Sequence, residues 1–356
     1  MAARAIFAGQ VSALIFAASF ALAVEVKPVP QLSLRVTKTV PLPLNADPVS
    51  STKCDASGNI YLRFYQMPNF LAAPIVKVSP EGKQLATFSI RSISGFERAD
   101  LGAFTVGLRG EIVGLVVRPD PQGDKAESGL ITFKDDGSFD SYTALESSFS
   151  PFNLAVFSSG EYLISGIQRM AGDSNPIHPS GMRPFTAIFD QSARLIKRFT
   201  LTGDVKQPKP DEAGGISQNG RVPREISTGA ALTGSDGNIY LVRMARQPIV
   251  FVIAGNGTIL RRMELNPPSD KYSASNVRYS SAGKLAVLFG EPTKADPRVS
   301  NIDLISVYDA ETGDRLVDYQ LPPEAGAALL CYTPNAFTFL GSTDQGQLTI
   351  NEANPY

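Results

Sequence analysis

The chain has one histidine and two cysteines in 356 residues. A lone His178 rules out the paired-histidine zinc motif H-E-x-x-H, and the serine-hydrolase elbow G-x-S-x-G and glycine-rich phosphate loops are also missing. Two isolated cysteines, Cys54 and Cys331, form neither a cysteine metal cluster nor a C-x-x-C redox pair. No sign of charge dominates: 33 Lys and Arg stand against 34 Asp and Glu, with no basic run or acidic tail. That balance argues against a nucleic-acid binder, which shows a basic patch or stripe. Past the first 23 residues no apolar run is long enough to cross a bilayer.

What the chain has in quantity is glycine (30) and proline (26), residues that punctuate turns. Many short elements are expected rather than a few long helices. The 43% hydrophobic content is ample for a core in a chain of this length.

The opening "MAARAIFAGQVSALIFAASFALAVEVKP" places Arg4 before an apolar run that ends at Ala21-Leu22-Ala23, a small-x-small cleavage pattern, and turns polar at Glu25. This reads as a signal peptide over residues 1–23, leaving 24–356 as a single domain that is secreted or periplasmic, with no membrane span after cleavage. The alternative is an uncleaved anchor; Gly9, Gln10 and Ser12 weigh against it. Export permits a disulfide between Cys54 and Cys331; two buried free thiols are the other reading.

The stretch "CDASGNIYLRF" (54–64) returns as "TGSDGNIYLVR" (233–243). Each is a tight turn built of residues that tolerate positive φ, followed by a strand. Weaker copies are centred on Gly110, Gly160, Gly283 and Asn335, so the steps from Gly58 are 52, 50, 77, 46 and 52 residues. Every copy but the last carries a second strand pair, such as "PIVKVSPEGKQLATFSI". Four antiparallel strands repeated at this period predict a β-propeller of six blades. The sixth copy lacks a fourth strand, and "LSLRVTKTVPL" (32–42) supplies one, closing the ring in the last blade. A pair of β-sandwich domains is the alternative.

The "D-x-x-G-N-I-Y-L" turn and strand, with "VKVSPEGK" at 76–83, resembles NHL-repeat and gluconolactonase-like six-bladed propellers. That resemblance implies a fold hosting lactonases, lyases, sensor domains and binding scaffolds. It also implies, for the enzymes, an axial divalent metal held by Glu, Asp and Asn oxygens. Near the inner strands this chain offers Asn153 and Asn276, with no carboxylate trio, so no cofactor is expected, a structural Ca²⁺ being the one left open.

The turns within strand pairs are short, whereas the loops at the other ends of the strands are long, among them 118–129, 168–184 and 202–227. Long loops gathered on one face commonly carry function. Candidate ligand-binding residues there are Glu97, Arg98, Asn153, His178, Arg224, Glu225 and Asn276. The charged ones would hold a polar ligand by charge-assisted hydrogen bonds or pair with one another as solvated ions. The expectation is an exported propeller binding a protein, glycan or small molecule through its loop-rich face. The rivals are a hydrolase or lyase of a small polar substrate at the axial pocket and a structural scaffold in an envelope assembly.

Overall fold

The computed structural model describes residues 28–42, 48–64, 73–107, 109–119, 126–145, 150–169, 182–201, 226, 229–292 and 300–356. It is an all-β propeller. Four sheets have four strands each, ordered as in the chain. The first holds β2 (Pro48–Cys54), β3 (Ile60–Phe64), β4 (Ile75–Val78) and β5 (Gln84–Phe88). The second holds β6 (Asp100–Val106), β7 (Ile112–Pro119), β8 (Ala126–Phe133) and β9 (Phe139–Ala144). The third holds β10 (Ser150–Val156), β11 (Tyr162–Arg169), β12 (Met182–Phe189) and β13 (Leu195–Phe199). The fourth holds β14 (Ala230–Thr233), β15 (Ile239–Arg243), β16 (Ile249–Ile253) and β17 (Ile259–Glu264).

The remaining strands are β1 (Gln31–Pro41), β18 (Ser273–Ser280), β19 (Lys284–Pro292), β20 (Ser300–Asp309), β21 (Arg315–Gln320), β22 (Ala328–Tyr332), β23 (Phe337–Ser342) and β24 (Leu348–Pro355). They form one eight-stranded sheet in the order β18-β19-β20-β21-β1-β24-β23-β22. Strand β1 runs antiparallel to β24 from Leu34 opposite Pro355 to Pro41 opposite Thr349. It meets β21 in parallel over only Gln31, Leu32 and Ser33. The N-terminal strand is therefore the outer neighbour of the last strand in the chain.

The first strands β2, β6, β10, β14, β18 and β22 touch one another in that order, and β22 touches β2, so they close around an axis. The core lies between successive sheets. Phe88 of β5 and Tyr61 of β3 pack with Phe104, Ile112 and Phe133 of the second sheet. Ala286 and Leu288 of β19 pack against Leu329 of β22 and Phe339 of β23, so the two halves of the eight-stranded sheet face each other. At the seam, Leu330, Leu340 and Ile350 pack against Ile60, Leu62 and Val76. Middle strands such as β3 and β15 are buried along their whole length because a sheet covers each face, which is why they are mostly apolar apart from the buried Arg63 and Arg243. Outer strands such as β13 are mostly exposed, and their unpaired edges face solvent.

The two matching stretches share more than a turn. Gly58 and Gly237 take positive φ and close the turns with N–H bonds to Asp55 O (3.1 Å) and Gly234 O (3.1 Å). Asp55 Oδ2 accepts from Asn59 Nδ2 (2.8 Å) and Tyr61 OH (3.0 Å). Asp236 Oδ2 accepts from Asn238 Nδ2 (2.8 Å) and Tyr240 OH (3.1 Å). The aspartate stands four residues before the asparagine in one copy and two in the other, yet both carboxylates reach the same two donors. Burial first, and then these carboxylates among the neighbouring groups, push both phenols well above their usual range.

Candidate functional site

A cavity of about 600 Å³ lies on the axis. Its wall is made by the last residues of β2, β6, β14, β18 and β22 and by the turns that follow all of these but β6. Phe64 pairs with Pro48 at the start of β2, so the long loop after Phe64 leaves from the other end of the ring. The cavity opens at the end with the short turns, opposite to the end that loop length favours.

Two cations define its electrostatics. Lys53, half-buried near the end of β2, donates from Nζ to Ala231 O of β14 (3.1 Å), reaching across the axis to a strand 178 residues away. Arg278, half-buried in β18, is held by three acceptors: Nε donates to Leu330 O (2.6 Å), and Nη1 to Asn276 Oδ1 (2.6 Å) and Val277 O (2.8 Å). Burial, and then the Arg278 charge, bring the Lys53 ammonium down from its usual 10.5 to about 8. Burial lowers the Arg278 guanidinium to about 10. Among the described residues neither forms an ion pair with a carboxylate.

The rest of the wall is neutral or already engaged. Asp55 sits at the rim with its carboxylate committed to the turn, where Oδ1 accepts the N–H groups of Ser57 (2.9 Å) and Asn59 (2.9 Å). Tyr279 OH is 3.2 Å from Ser235 Oγ, and its ring lies 4.8 Å from that of Tyr240. Thr233 Oγ1 donates to Val156 O (2.9 Å) and ties β14 to β10. Cys54 and Cys331 also line the cavity and are joined by a disulfide, with Cα atoms 6.0 Å apart. The bond links β2 to β22 across the seam.

Among the described residues, none of the ligand-binding candidates read from the sequence lines this cavity. Glu97 and Arg98 are exposed in the connection between β5 and β6, where Glu97 Oε1 accepts from Gly95 N (3.1 Å). Hydrogen bonds to the backbone hold its carboxyl below the usual range. Asn153, buried in β10, donates from Nδ2 to Ile226 O (3.1 Å) and anchors a neighbouring segment. Asn276 is one step removed, since it holds Arg278. His178, Arg224 and Glu225 lie outside the described residues. Lys53 and Arg278 were missed, although "SSTKCD" and "SNVRYS" each set a long cation inside a first strand. That is an unusual place for a charge in a fold whose inner strands crowd an axis.

Among the described residues no group of three or more His, Cys, Asp or Glu side chains could hold a metal. No helix among them is long and apolar enough to cross a membrane.

No protein-family model matches the chain, and no curated protein matches it. Solved structures do. A protein of unknown function from Dyadobacter fermentans is 11% identical with a TM-score of 0.53, over 91% of this chain and 100% of that one. A structure described as YCF48 bound to D1 peptide is 12% identical with a TM-score of 0.46, over 91% of this chain and 97% of that one. The Neurospora crassa Pan2 WD40 domain is 11% identical with a TM-score of 0.47, over 90% of this chain and 95% of that one. At these identities the likeness concerns the fold alone.

Proposed function

We propose that this chain is an exported six-bladed propeller that binds a ligand in its axial cavity. The observation that carries the reading is the cavity itself: about 600 Å³, walled by five inner strands, with convergent polar groups. That is the size and character of a small-molecule site. The count of six rests on the closed order of first strands and on the face-to-face packing of the two halves of the eight-stranded sheet. Export is supported by the N-terminal sequence and by the Cys54–Cys331 bond, a linkage that persists in oxidising compartments. Kinship to NHL-repeat or gluconolactonase-like propellers stays with the "D-x-x-G-N-I-Y-L" turn.

The test is a ligand-observed NMR screen of a fragment library against the wild type and a Ser235→Trp/Ser281→Trp variant. Both serines are exposed lining residues, so the indoles obstruct the mouth without entering the core. Hits that bind the wild type and are lost in the variant support the reading. Hits that bind both equally, or no hits at all, overturn it.

A further inference from the structure

We propose that the axial cavity is an oxyanion site: it takes a small organic anion whose carboxylate or phosphate group sits between Lys53 and Arg278. The proposal rests on the reading of the cavity as a ligand site and adds its charge and its anchors.

Four observations carry it. Lys53 and Arg278 come from strands β2 and β18, far apart in the chain, and both line one cavity. Each charge repels the other, and each is partly stripped of water, so their juxtaposition is unfavourable in the empty protein. No carboxylate among the described residues relieves it; Asp55, the acidic residue on the wall, already accepts four hydrogen bonds in its turn. The donors are incompletely used. Lys53 Nζ has one acceptor among the described residues, Ala231 O, and can donate twice more. Arg278 spends Nε and Nη1 on protein acceptors, while Nη2 has none among the described residues.

The third observation concerns orientation. Asn276 Oδ1 and Leu330 O grip the Arg278 guanidinium through Nη1 and Nε at 2.6 Å each, which fixes its plane and leaves the two N–H donors of Nη2 for a ligand. A preset Nη2 makes charge-assisted hydrogen bonds to an oxygen of a carboxylate or phosphate, while Lys53 Nζ supplies donors from another strand. The fourth is the remaining wall. Thr52, Thr105 and Tyr279 are polar lining residues, whereas Val106 and Leu232 are apolar ones. A ligand with an anionic head and a mixed body matches that lining. Asn276 is thus a positioning residue for Arg278.

The test is isothermal titration of the purified protein with succinate, citrate and inorganic phosphate at fixed ionic strength. The proteins compared are the wild type, Lys53→Met, Arg278→Lys and the mouth-blocked Ser235→Trp/Ser281→Trp variant. The expected result is binding of a carboxylate or phosphate by the wild type. It weakens at least tenfold in Lys53→Met and in Arg278→Lys, and is abolished by the blocked mouth. Lys53→Met removes a desolvated charge and is expected to fold; Arg278→Lys keeps the charge and loses the Nη2 donors together with the guanidinium bonds to Leu330 O, Asn276 Oδ1 and Val277 O. Whether succinate and citrate or phosphate bind distinguishes the two head groups. Anions that bind the wild type and both charge variants equally overturn the proposal. If neutral fragments bind and are lost on blocking the mouth while no anion binds, the oxyanion assignment fails and the cavity reading survives. If neither binds, both fail.

Discussion

Reducing the Cys54–Cys331 bond is the sharpest test of how this ring holds together. The cysteines are 277 residues apart in sequence, so the crosslink closes nearly the whole described chain into a loop. Loop-closure entropy for that length gives ~5.5 kcal/mol of stabilisation at 25 °C, acting on the unfolded state. In the folded ring the bond joins β2 to β22, which already touch across the seam where Leu330 and Ile350 meet Ile60 and Val76. Its loss should cost little native packing. With a urea slope of about 3 kcal/mol/M for a chain of this size, the unfolding midpoint should fall by about 1.5–2 M. The assay is equilibrium urea unfolding of the wild type with and without reductant, beside a Cys54→Ala/Cys331→Ala variant. The reduced wild type and the variant should coincide to within the small cavity left at the buried Cys331. Hydrogen exchange should speed first in β1 and β24, the strands that close the ring. A midpoint shift under about 0.3 M would refute the entropic argument and show that β1–β24 pairing alone sets the cost of opening the ring.

Other expectations follow from single residues. Because the folded ammonium of Lys53 titrates near 8 and the unfolded one near 10.5, its charge destabilises the fold below pH 8, and the penalty is relieved as pH rises from 8 to 10.5. Wild-type stability relative to Lys53→Met should therefore improve across that window, by about 1 to 2 kcal/mol after solvent screening, read by urea unfolding at several pH values. Arg243 is buried and donates to Ser165 Oγ (2.8 Å) and Thr186 Oγ1 (2.9 Å) of the third sheet. Arg243→Met leaves those hydroxyls without their charged donor and should cost about 2–4 kcal/mol, against little change for an exposed arginine such as Arg98. Gly326 sits at φ 100°, and a Cβ there would run into the backbone carbonyl of Leu340. Gly326→Ala should lower the melting temperature by several degrees, and an unchanged melting curve would contradict the close approach. Tyr61→Phe removes one donor from the Asp55 carboxylate and should cost about 1–2 kcal/mol in urea unfolding.

Turn and strand chemistry was legible residue by residue. "SGNIYL" and "DGNIYL" announce a positive-φ glycine and a strand with no reference to the rest of the chain. The asparagine–tyrosine clamp on each aspartate was not, because Asp55 and Asp236 stand at different spacings from their asparagines and only the folded turn brings the groups together. The orphan strand was visible as a missing partner: the last repeat lacked a strand, and the N-terminus held one to spare. Its pairing with β24 follows from the need to satisfy an exposed edge. The site was poorly legible. Loop length pointed to one end of the ring, where the placed candidates Glu97 and Arg98 are exposed, while the described cavity opens at the other.

The sequence by itself determined the local alphabet of this protein: short strands, tight turns, a regular period, a balanced charge and a single histidine. Those properties depend on neighbours a few residues away. Tertiary structure alone decided that Lys53 and Arg278 share one cavity, that Asn276 holds the arginine and that Asn153 serves a backbone carbonyl. Ring closure brings residues more than 200 positions apart to the same axis, and no local pattern records which of them will meet there.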